Sequence, residues 1–213
     1  MKYLIAVFCA SMIALPGCGD TDIQMATNAG MDAVKALTLS DRDVLEIASQ
    51  AMQSSDKQHT TAPPESTYTQ RLNQLIAQNF QDGDVKFSYA VYLSPEVNAF
   101  AMANGTIRLY SGLMDMLNDG ELRFVIGHEM GHVVKNHIRK KIRLAYAASA
   151  VRKGVASQQN TAGDLAQSVF GGLAESLMNA QFSQLEEKEA DDYGLFFLKR
   201  EKFDPQYGLC KYA

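Results

Sequence analysis

The alternation of hydrophobic and polar residues predicts a first helix that begins just after Ser40. Leu39 precedes this serine and Asp43 follows it by three residues, which is typical of a capped helix start with a hydrophobic staple. We expect this helix to continue to about Gln53. A polar loop with a Pro-Pro pair then leads into a second amphipathic helix over residues 67–80, whose apolar face carries Leu72, Leu75, Ile76 and Phe80.

The centre of the chain has the pattern of strands. Residues 86–93, 97–102 and 106–110 are rich in β-forming residues, and Asn104-Gly105 between the last two is a strong hairpin signal. Helical patterns return over residues 113–117, 121–153 and, with an interruption, 165–199. The predicted fold class is α+β: a mainly helical domain with a small antiparallel sheet packed on the helices.

The N-terminus has the pattern of an export signal. Lys2 is followed by an apolar run over residues 3–15, which is shorter than the ~20 residues of a membrane-spanning helix but suits a signal-peptide core. Residues 15–18, Leu-Pro-Gly-Cys, resemble a bacterial lipobox, although Pro16 is unusual in that place. We therefore expect lipid attachment at Cys18, with simple cleavage nearby as the alternative.

This interpretation divides the chain into three parts. They are a lipoprotein signal peptide (1–17), a tether (18–38) and one folded domain (39–213). Gly19 stands where an aspartate would favour retention at the inner membrane, so we expect an anchor on the periplasmic face of the outer membrane of a Gram-negative bacterium.

Charge and cysteine content narrow the possible partners. The net charge is −4, and without a basic stripe to neutralise phosphates the sequence argues against nucleic acid as a partner. The dense basic run at 139–143 is interpreted as a solvated helix face. With Cys9 removed and Cys18 lipidated, Cys210 would be alone; a Cys18–Cys210 disulfide is the competing arrangement.

The strongest chemical signal is H-E-x-x-H at residues 128–132. Positions i and i+4 lie roughly 40° apart on one helix face, so His128 and His132 can reach one cation. Glu129 is offset by one residue, which suits a base acting on a metal-activated water. Two histidines on a polar helix face are the alternative, but the flanking residues Val125, Ile126, Val133 and Val134 indicate a buried helix, where ionisable groups need partners.

The other two histidines are not predicted to be ligands. On a continuous helix His137 would lie roughly 140° from His132, so we interpret it as a helix-face residue that could at most contact a ligand from behind. The metzincin pattern would need glycine at 135 and histidine at 138, where this chain has Lys135 and Ile138. His59 lies in the polar loop and is expected to be exposed to solvent.

A catalytic zinc site needs a third protein ligand, and residues 182–194 offer several carboxylates. Glu187 and Asp191 are spaced i and i+4 on a stripe of small residues that would permit close helix packing. We predict Glu187 as the ligand and Asp191 as the acceptor of a histidine N–H. Glu186 borders the stripe and is the alternative ligand, whereas Glu189 is expected to point away.

Two segments, "HEMGH" and "FSQLEEKEADDYG", resemble the HtpX-like gluzincin metallopeptidases. The E-x-x-A-D-type segment of that family supplies a zinc-binding glutamate, and here that residue falls on Glu187. Residues 97–117 also resemble the strand-turn-strand-helix that precedes the zinc helix. The resemblance implies a zincin-type domain with one Zn²⁺ per chain that hydrolyses peptide bonds in unfolded or extended envelope proteins.

Peptide hydrolysis needs two further roles. An edge strand formed by Asn98, Ala99, Phe100 and Ala101 is expected to bind an extended substrate, although an ordinary half-buried strand fits the pattern equally well. Tyr193 and Arg143 are available as oxyanion partners, and spacing selects neither.

Family members continue into a helical stretch with a His-Pro and arginine motif that residues 203–213 do not match, so we expect a truncated or altered C-terminus. The rival function is therefore a non-enzymatic, zinc-stabilised envelope lipoprotein that acts as a chaperone or adaptor. An intact Glu129 weighs against this alternative, because a purely structural site needs no base.

Overall fold

The computed structural model describes residues 39–76, 81–156 and 182–208. The predicted signal peptide and tether, Cys18, Cys210 and the start of the last predicted helical segment (165–181) lie outside these described residues.

The first two described helices begin where the sequence predicts. Helix α1 (Asp41–Gln58) has the reciprocal cap between Ser40 and Asp43, and its apolar face is buried in the hydrophobic core. It extends five residues beyond the predicted end at Gln53, and its last turns bury Ser55. Helix α2 (Thr67–Leu75) is capped by Ser66 and ends where Ile76 becomes extended; residues 77–80 lie outside the described part of the chain.

The sheet combines antiparallel and parallel pairing. Strands β1 (Gln81–Asp82) and β2 (Val85–Lys86) form a small hairpin apart from the main sheet. The main sheet contains β3 (Ser88–Tyr92), β4 (Ala99–Ala101) and β5 (Thr106–Tyr110) in the order β3-β5-β4.

The predicted β4–β5 hairpin is confirmed, but β3 pairs with β5 in parallel, so the prediction of a purely antiparallel sheet was wrong. The reason is burial. Strand β5 is buried at all five positions and takes the centre, which leaves β4 at one edge and β3 at the other.

Four helical segments follow the sheet within the part of the chain that the structure describes. Helix α3 (Ser111–Met116) leads into α4 (Asp119–Val134), α5 (His137–Ala156) and, after the residues that are not described, α6 (Gln184–Arg200); a short 3-10 turn follows at Pro205–Gly208. None of the helices in the described ranges is long and apolar enough to cross a membrane.

The continuous helix predicted over residues 121–153 is broken at Lys135 and Asn136. Asn136 adopts φ 61°, in the left-handed region that asparagine tolerates better than most residues. The chain therefore changes direction immediately before His137, and this break matters for the site.

His59 is half-buried, so the prediction of a solvent-exposed histidine was wrong. Its ring stacks on Tyr92 with centroids 4.5 Å apart, and its Nδ1 lies 2.9 Å from the Ser55 carbonyl oxygen. The cause is the extra length of α1, which places residue 59 directly after the helix and its ring against Tyr92 of β3.

An ion pair ties α1 to the centre of the sheet. Arg108 is buried and donates through Nε and Nη2 to both carboxylate oxygens of Asp56 at 2.9 Å, and Tyr92 Oη donates to the same carboxylate at 2.6 Å. Burial opposes ionisation of Asp56, but the hydrogen bonds from Arg108 and Tyr92 outweigh it and hold the pKa of the carboxyl below its usual value.

The basic run at 139–143 is more than a solvated face. Arg139 and Arg143 both pair with Asp41 at the start of α1, and Lys140 pairs with Glu186 at the start of α6. These pairs connect α5 to two other helices.

Candidate metal centre

Helix α4 carries the H-E-x-x-H residues. Asn118 caps this helix, its side chain accepting from the backbone N–H groups of Gly120 and Glu121, and the Glu121 side chain completes a capping box. One turn separates His128 and His132, which are 6% and 2% exposed. Both imidazoles thus lie in the interior on the side of α4 that faces α6.

Each histidine has its Nδ1 atom engaged, and each presents Nε2 to the same point. His128 Nδ1–H donates to Asp191 Oδ1 at 2.7 Å, and His132 Nδ1 lies 3.0 Å from His137 Nδ1. The two Nε2 atoms are 3.0 Å apart. Two imidazole nitrogens at this separation suit shared coordination of a cation.

Glu187 brings a carboxylate to this pair from α6. Its oxygens lie 3.5 Å from His128 Nε2 and 4.0 Å from His132 Nε2, and one ligand atom from each residue lies within 4.8 Å of the others. Tetrahedral Zn–N bonds of about 2.0–2.1 Å would separate two ligand atoms by about 3.3 Å. The two imidazoles and the carboxylate therefore fit a small divalent metal ion.

Close packing of α4 on α6 makes this meeting possible. An ideal Cβ placed on Gly131 would lie 2.9 Å from the Cα of Ala190 and 2.9 Å from the Cβ of Tyr193. An ideal Cβ placed on Gly127 would likewise lie 3.0 Å from the Cα of Gly194. The small residues on both helices let residues 128, 132 and 187 share one cavity.

The other acidic candidates lie elsewhere. Glu186 accepts from Lys140 Nζ at 2.8 Å and completes the Ser183 cap of α6, so it is not grouped with the two histidines. The hydrogen bond from Lys140, with that from the Ser183 backbone, lowers the pKa of Glu186 to about 2.

Glu189 was expected to point away from the small-residue stripe, and it is not grouped with His128, His132 and Glu187; its carboxylate accepts from His137 Nε2–H at 2.9 Å. His137 is 4% exposed, and it touches His132 through Nδ1. The sequence did not predict this contact, because a continuous helix was expected; it allowed only that His137 could lie behind a ligand. Asn136, a residue common just past helix ends, was the available signal for the break.

A cavity of about 170 Å³ opens beside the three grouped residues. Glu129 and Phe182 line it, and the Phe182 ring stacks on the His132 ring with centroids 3.9 Å apart. The whole predicted substrate strand also contributes to its lining: Asn98, Ala99, Phe100 and Ala101.

Strand β4 presents a definite set of backbone groups to this cavity. Tyr110 N–H donates to the Asn98 carbonyl, and Met102 N–H donates to the Thr106 carbonyl. Since antiparallel pairing alternates, the backbone groups of Phe100 face β5, and those of Ala99 and Ala101 face away from it. Among the described strands, β4 therefore offers an edge with donors and acceptors on the cavity side.

The two suggested oxyanion partners are engaged away from the cavity. Tyr193 Oη donates to Asp82 at 2.6 Å, and Arg143 donates to Asp41 and to the Leu39 carbonyl oxygen. Neither is among the residues that line the cavity.

A helix-borne H-E-x-x-H pair joined by a carboxylate from a second helix is typical of metal-dependent peptidases. The chain belongs to peptidase family M48, whose family model matches residues 63–210. The resemblance noted in the sequence and the α+β zincin-type fold are thereby confirmed.

Several curated metalloproteases are similar to the chain. It is 43% identical over 205 residues to the metalloprotease LoiP of Escherichia coli K12, which covers 95% of this chain and 80% of that protein. It is 39% identical to the metalloprotease YcaL of the same organism, covering 96% of this chain and 82% of YcaL. It is also 26% identical to the E. coli β-barrel assembly-enhancing protease, over 96% of this chain and 44% of that protein.

These relationships confirm the enzyme class: the chain is a metalloendopeptidase, and its substrates are polypeptides. The family is metal-dependent, in agreement with the grouped histidines and glutamate.

Proposed function

We propose that this chain is a zinc-dependent endopeptidase of the bacterial envelope that cleaves unfolded or misassembled envelope proteins. In this proposal His128, His132 and Glu187 hold one Zn²⁺, Glu129 is the general base, and Asp191 orients His128. The observation that carries the proposal is the convergence of two Nε2 atoms and one carboxylate in a cavity that Glu129 also lines.

The donor set favours zinc. Two imidazole nitrogens and one carboxylate oxygen make the three-ligand set of a catalytic zinc site, in which the fourth position stays open. Bound there, the cation supplies Lewis acidity, which polarises a peptide carbonyl and makes water a better acid.

The chain's own residues supply proton transfer and substrate alignment. Glu129 takes the proton of the attacking water and passes it to the leaving amine. The cavity-side backbone groups of Ala99 and Ala101 hold an extended substrate by strand addition, beside the scissile bond. A substrate bound in this way must be extended, which supports selection of unfolded polypeptides.

The function is tested by comparing wild type with Glu129→Gln on casein. Because removal of a general base costs about 10²–10⁴ in rate, we expect cleavage to fall by at least 10²-fold while bound zinc is retained. Glu65→Gln, an exposed position away from the cavity, is the matched control and should cleave like wild type. Equal cleavage by wild type and Glu129→Gln would refute the assignment of the base.

The proposed location is the periplasmic face of the outer membrane, through a lipid on Cys18, with envelope proteins as possible partners in quality control. The lipobox-like residues 15–18 and Gly19 support this. Metabolic palmitate labelling should mark wild type but not Cys18→Ala; label that persists in the variant would contradict the anchor.

A further inference from the structure

We propose that Glu189 and His137 form a proton-ordered relay that fixes the ring tautomer of His132 and so determines which of its nitrogens can bind the metal. The inference rests on the proposed function in one respect only, that His132 is a metal ligand. His137 and Glu189 are positioning residues in this account, since they act through His132.

The relay is a line of three buried or half-buried groups from three helices. Glu189 Oε2 on α6 lies 2.9 Å from His137 Nε2 on α5, and His137 Nδ1 lies 3.0 Å from His132 Nδ1 on α4. His132 and His137 are 2% and 4% exposed, so solvent offers them little alternative hydrogen bonding. Their rings meet nearly edge to face, with centroids 5.2 Å apart.

The order of protons follows from the chemistry of the groups. An ionised carboxylate only accepts hydrogen bonds, so the proton between Glu189 and His137 belongs to His137 Nε2. In the relay that we propose, His137 carries only this one proton, so its Nδ1 is bare and accepts a hydrogen bond from His132. His132 therefore carries its proton on Nδ1, and its Nε2 lone pair is directed to the metal.

His128 reaches the same state by a shorter route. Its Nδ1–H donates directly to Asp191, at 2.7 Å, which likewise makes Nε2 the nitrogen that binds the metal. Different hydrogen-bond partners thus fix the same tautomer in the two histidines. The partner of His132 is on α5, so this helix must be in place.

The backbone break at Asn136 builds the relay. On a continuous helix, residue 137 would lie roughly 140° round from residue 132 and could not face it. The left-handed conformation of Asn136 (φ 61°) turns the chain so that the first residue of α5 comes back to His132. The Lys140–Glu186 pair holds the same end of α5 against α6.

The first test reads the tautomers directly by long-range ¹H–¹⁵N NMR of histidine-labelled protein, with zinc and without. We expect His137 to be protonated on Nε2 and bare on Nδ1 in both states, and His132 to be protonated on Nδ1. A proton on His137 Nδ1, whether Nε2 is also protonated or is bare, would overturn the relay.

The second test measures zinc affinity by competition with a chelator. His137→Leu removes the acceptor and should weaken zinc binding about 10–100-fold, as loss of a ligand's outer partner does. His137→Gln keeps an acceptor for His132 and a donor for Glu189, so it should restore affinity to within about threefold of wild type. Equal affinity in wild type and the His137→Leu variant, or equal loss in both variants, would contradict the relay.

The third test reverses the polarity of the relay. Glu189→Lys puts a donor opposite His137 Nε2 and should weaken zinc binding at least tenfold. Asp192→Lys, an equal charge change at an exposed position of the same helix, is the control and should have the smaller effect. Equal effects would show simple charge repulsion and refute the relay.

These outcomes are separable from the proposed function. A wild-type protein that binds no zinc would refute the proposed function, and the His137 tautomer would still test the relay. A wild-type protein that binds zinc with an affinity insensitive to His137 would refute the relay alone.

Discussion

Replacing Gly131 by alanine tests whether close packing of α4 on α6 holds the metal centre together. Gly131 lies one residue before His132, and the added Cβ would lie 2.9 Å from the Ala190 Cα and 3.0 Å from its carbonyl oxygen. Ordinary carbon contacts begin at about 3.4–3.5 Å, so the two backbones must separate by about 0.5 Å.

Two opposing free energies decide the result. Alanine in place of glycine within a helix normally stabilises it by about 1 kcal/mol. Overpacking against a backbone that has little room to move costs about 1–3 kcal/mol. Because the cost is at least as large as the gain, we expect the metal-free protein to lose up to about 2 kcal/mol in its free energy of unfolding.

The effect on zinc should be larger than the effect on stability suggests. Ala190 is three residues after Glu187, so a shift of α6 also moves the carboxylate that now lies 3.5 Å from His128 Nε2. A displacement of about 0.5 Å exceeds the roughly 0.2 Å within which metal–ligand distances normally fall. Zinc affinity should fall about tenfold or more.

Urea unfolding in chelator and zinc competition titrations measure the two quantities separately. Gly127→Ala is the graded comparison. The added Cβ meets Gly194 and Phe197, seven and ten residues after Glu187, so it should destabilise the fold with a smaller loss of zinc affinity. If Gly131→Ala raised stability by about 1 kcal/mol and left zinc affinity unchanged, the packing argument would be wrong.

Three further predictions concern the edge strand, the helix break and the buried ion pair. Ala99→Pro removes a cavity-side N–H and should lower kcat/KM for polypeptides about tenfold or more, whereas Ala99→Ser should not. Equal kcat/KM in Ala99→Pro and wild type would refute substrate binding by strand addition. Asn136→Gly should keep the fold within about 0.5 kcal/mol, whereas Asn136→Val should cost about 1–2 kcal/mol in thermal or urea unfolding, because valine resists positive φ. Asp56→Asn should cost roughly 2 kcal/mol, since it leaves Arg108 buried without its carboxylate. Because the pKa of Asp56 is lowered in the fold, its carboxylate stabilises the protein fully above the unfolded pKa of ~3.9, and this stabilisation is lost as pH falls through the folded pKa. Wild type should therefore lose more stability than Asp56→Asn on acidification, and equal losses would contradict the prediction.

The local features of the site could be predicted because they depend on short-range spacing. The i, i+4 spacing of the two histidines places them on one helix face. The stripe of small residues beside Glu187 indicates a face on which two helices can approach closely. Neighbouring residues likewise determine two other local features: the helix cap at Ser40 and the hairpin turn at Asn104-Gly105.

Two of the features that were missed depend on long-range contacts, and the third depends on the conformation of one residue. Nothing local to β3 determines that it pairs in parallel with β5, since that depends on which strand occupies the buried centre. The burial of His59 depends on α1 passing its predicted end. The His137 contact depends on a single left-handed residue, Asn136, within a segment whose hydrophobic pattern is otherwise continuous.

The most direct measurement of the central claim is zinc bound per chain, by mass spectrometry of the metal in wild type, Glu187→Gln and Glu186→Gln prepared identically. Glu187 faces both histidine Nε2 atoms, whereas its neighbour Glu186 is held by Lys140 and the cap of α6. We predict about one zinc per chain in wild type and Glu186→Gln, and a large loss in Glu187→Gln. Zinc retained by Glu187→Gln and lost from Glu186→Gln would contradict the proposed site.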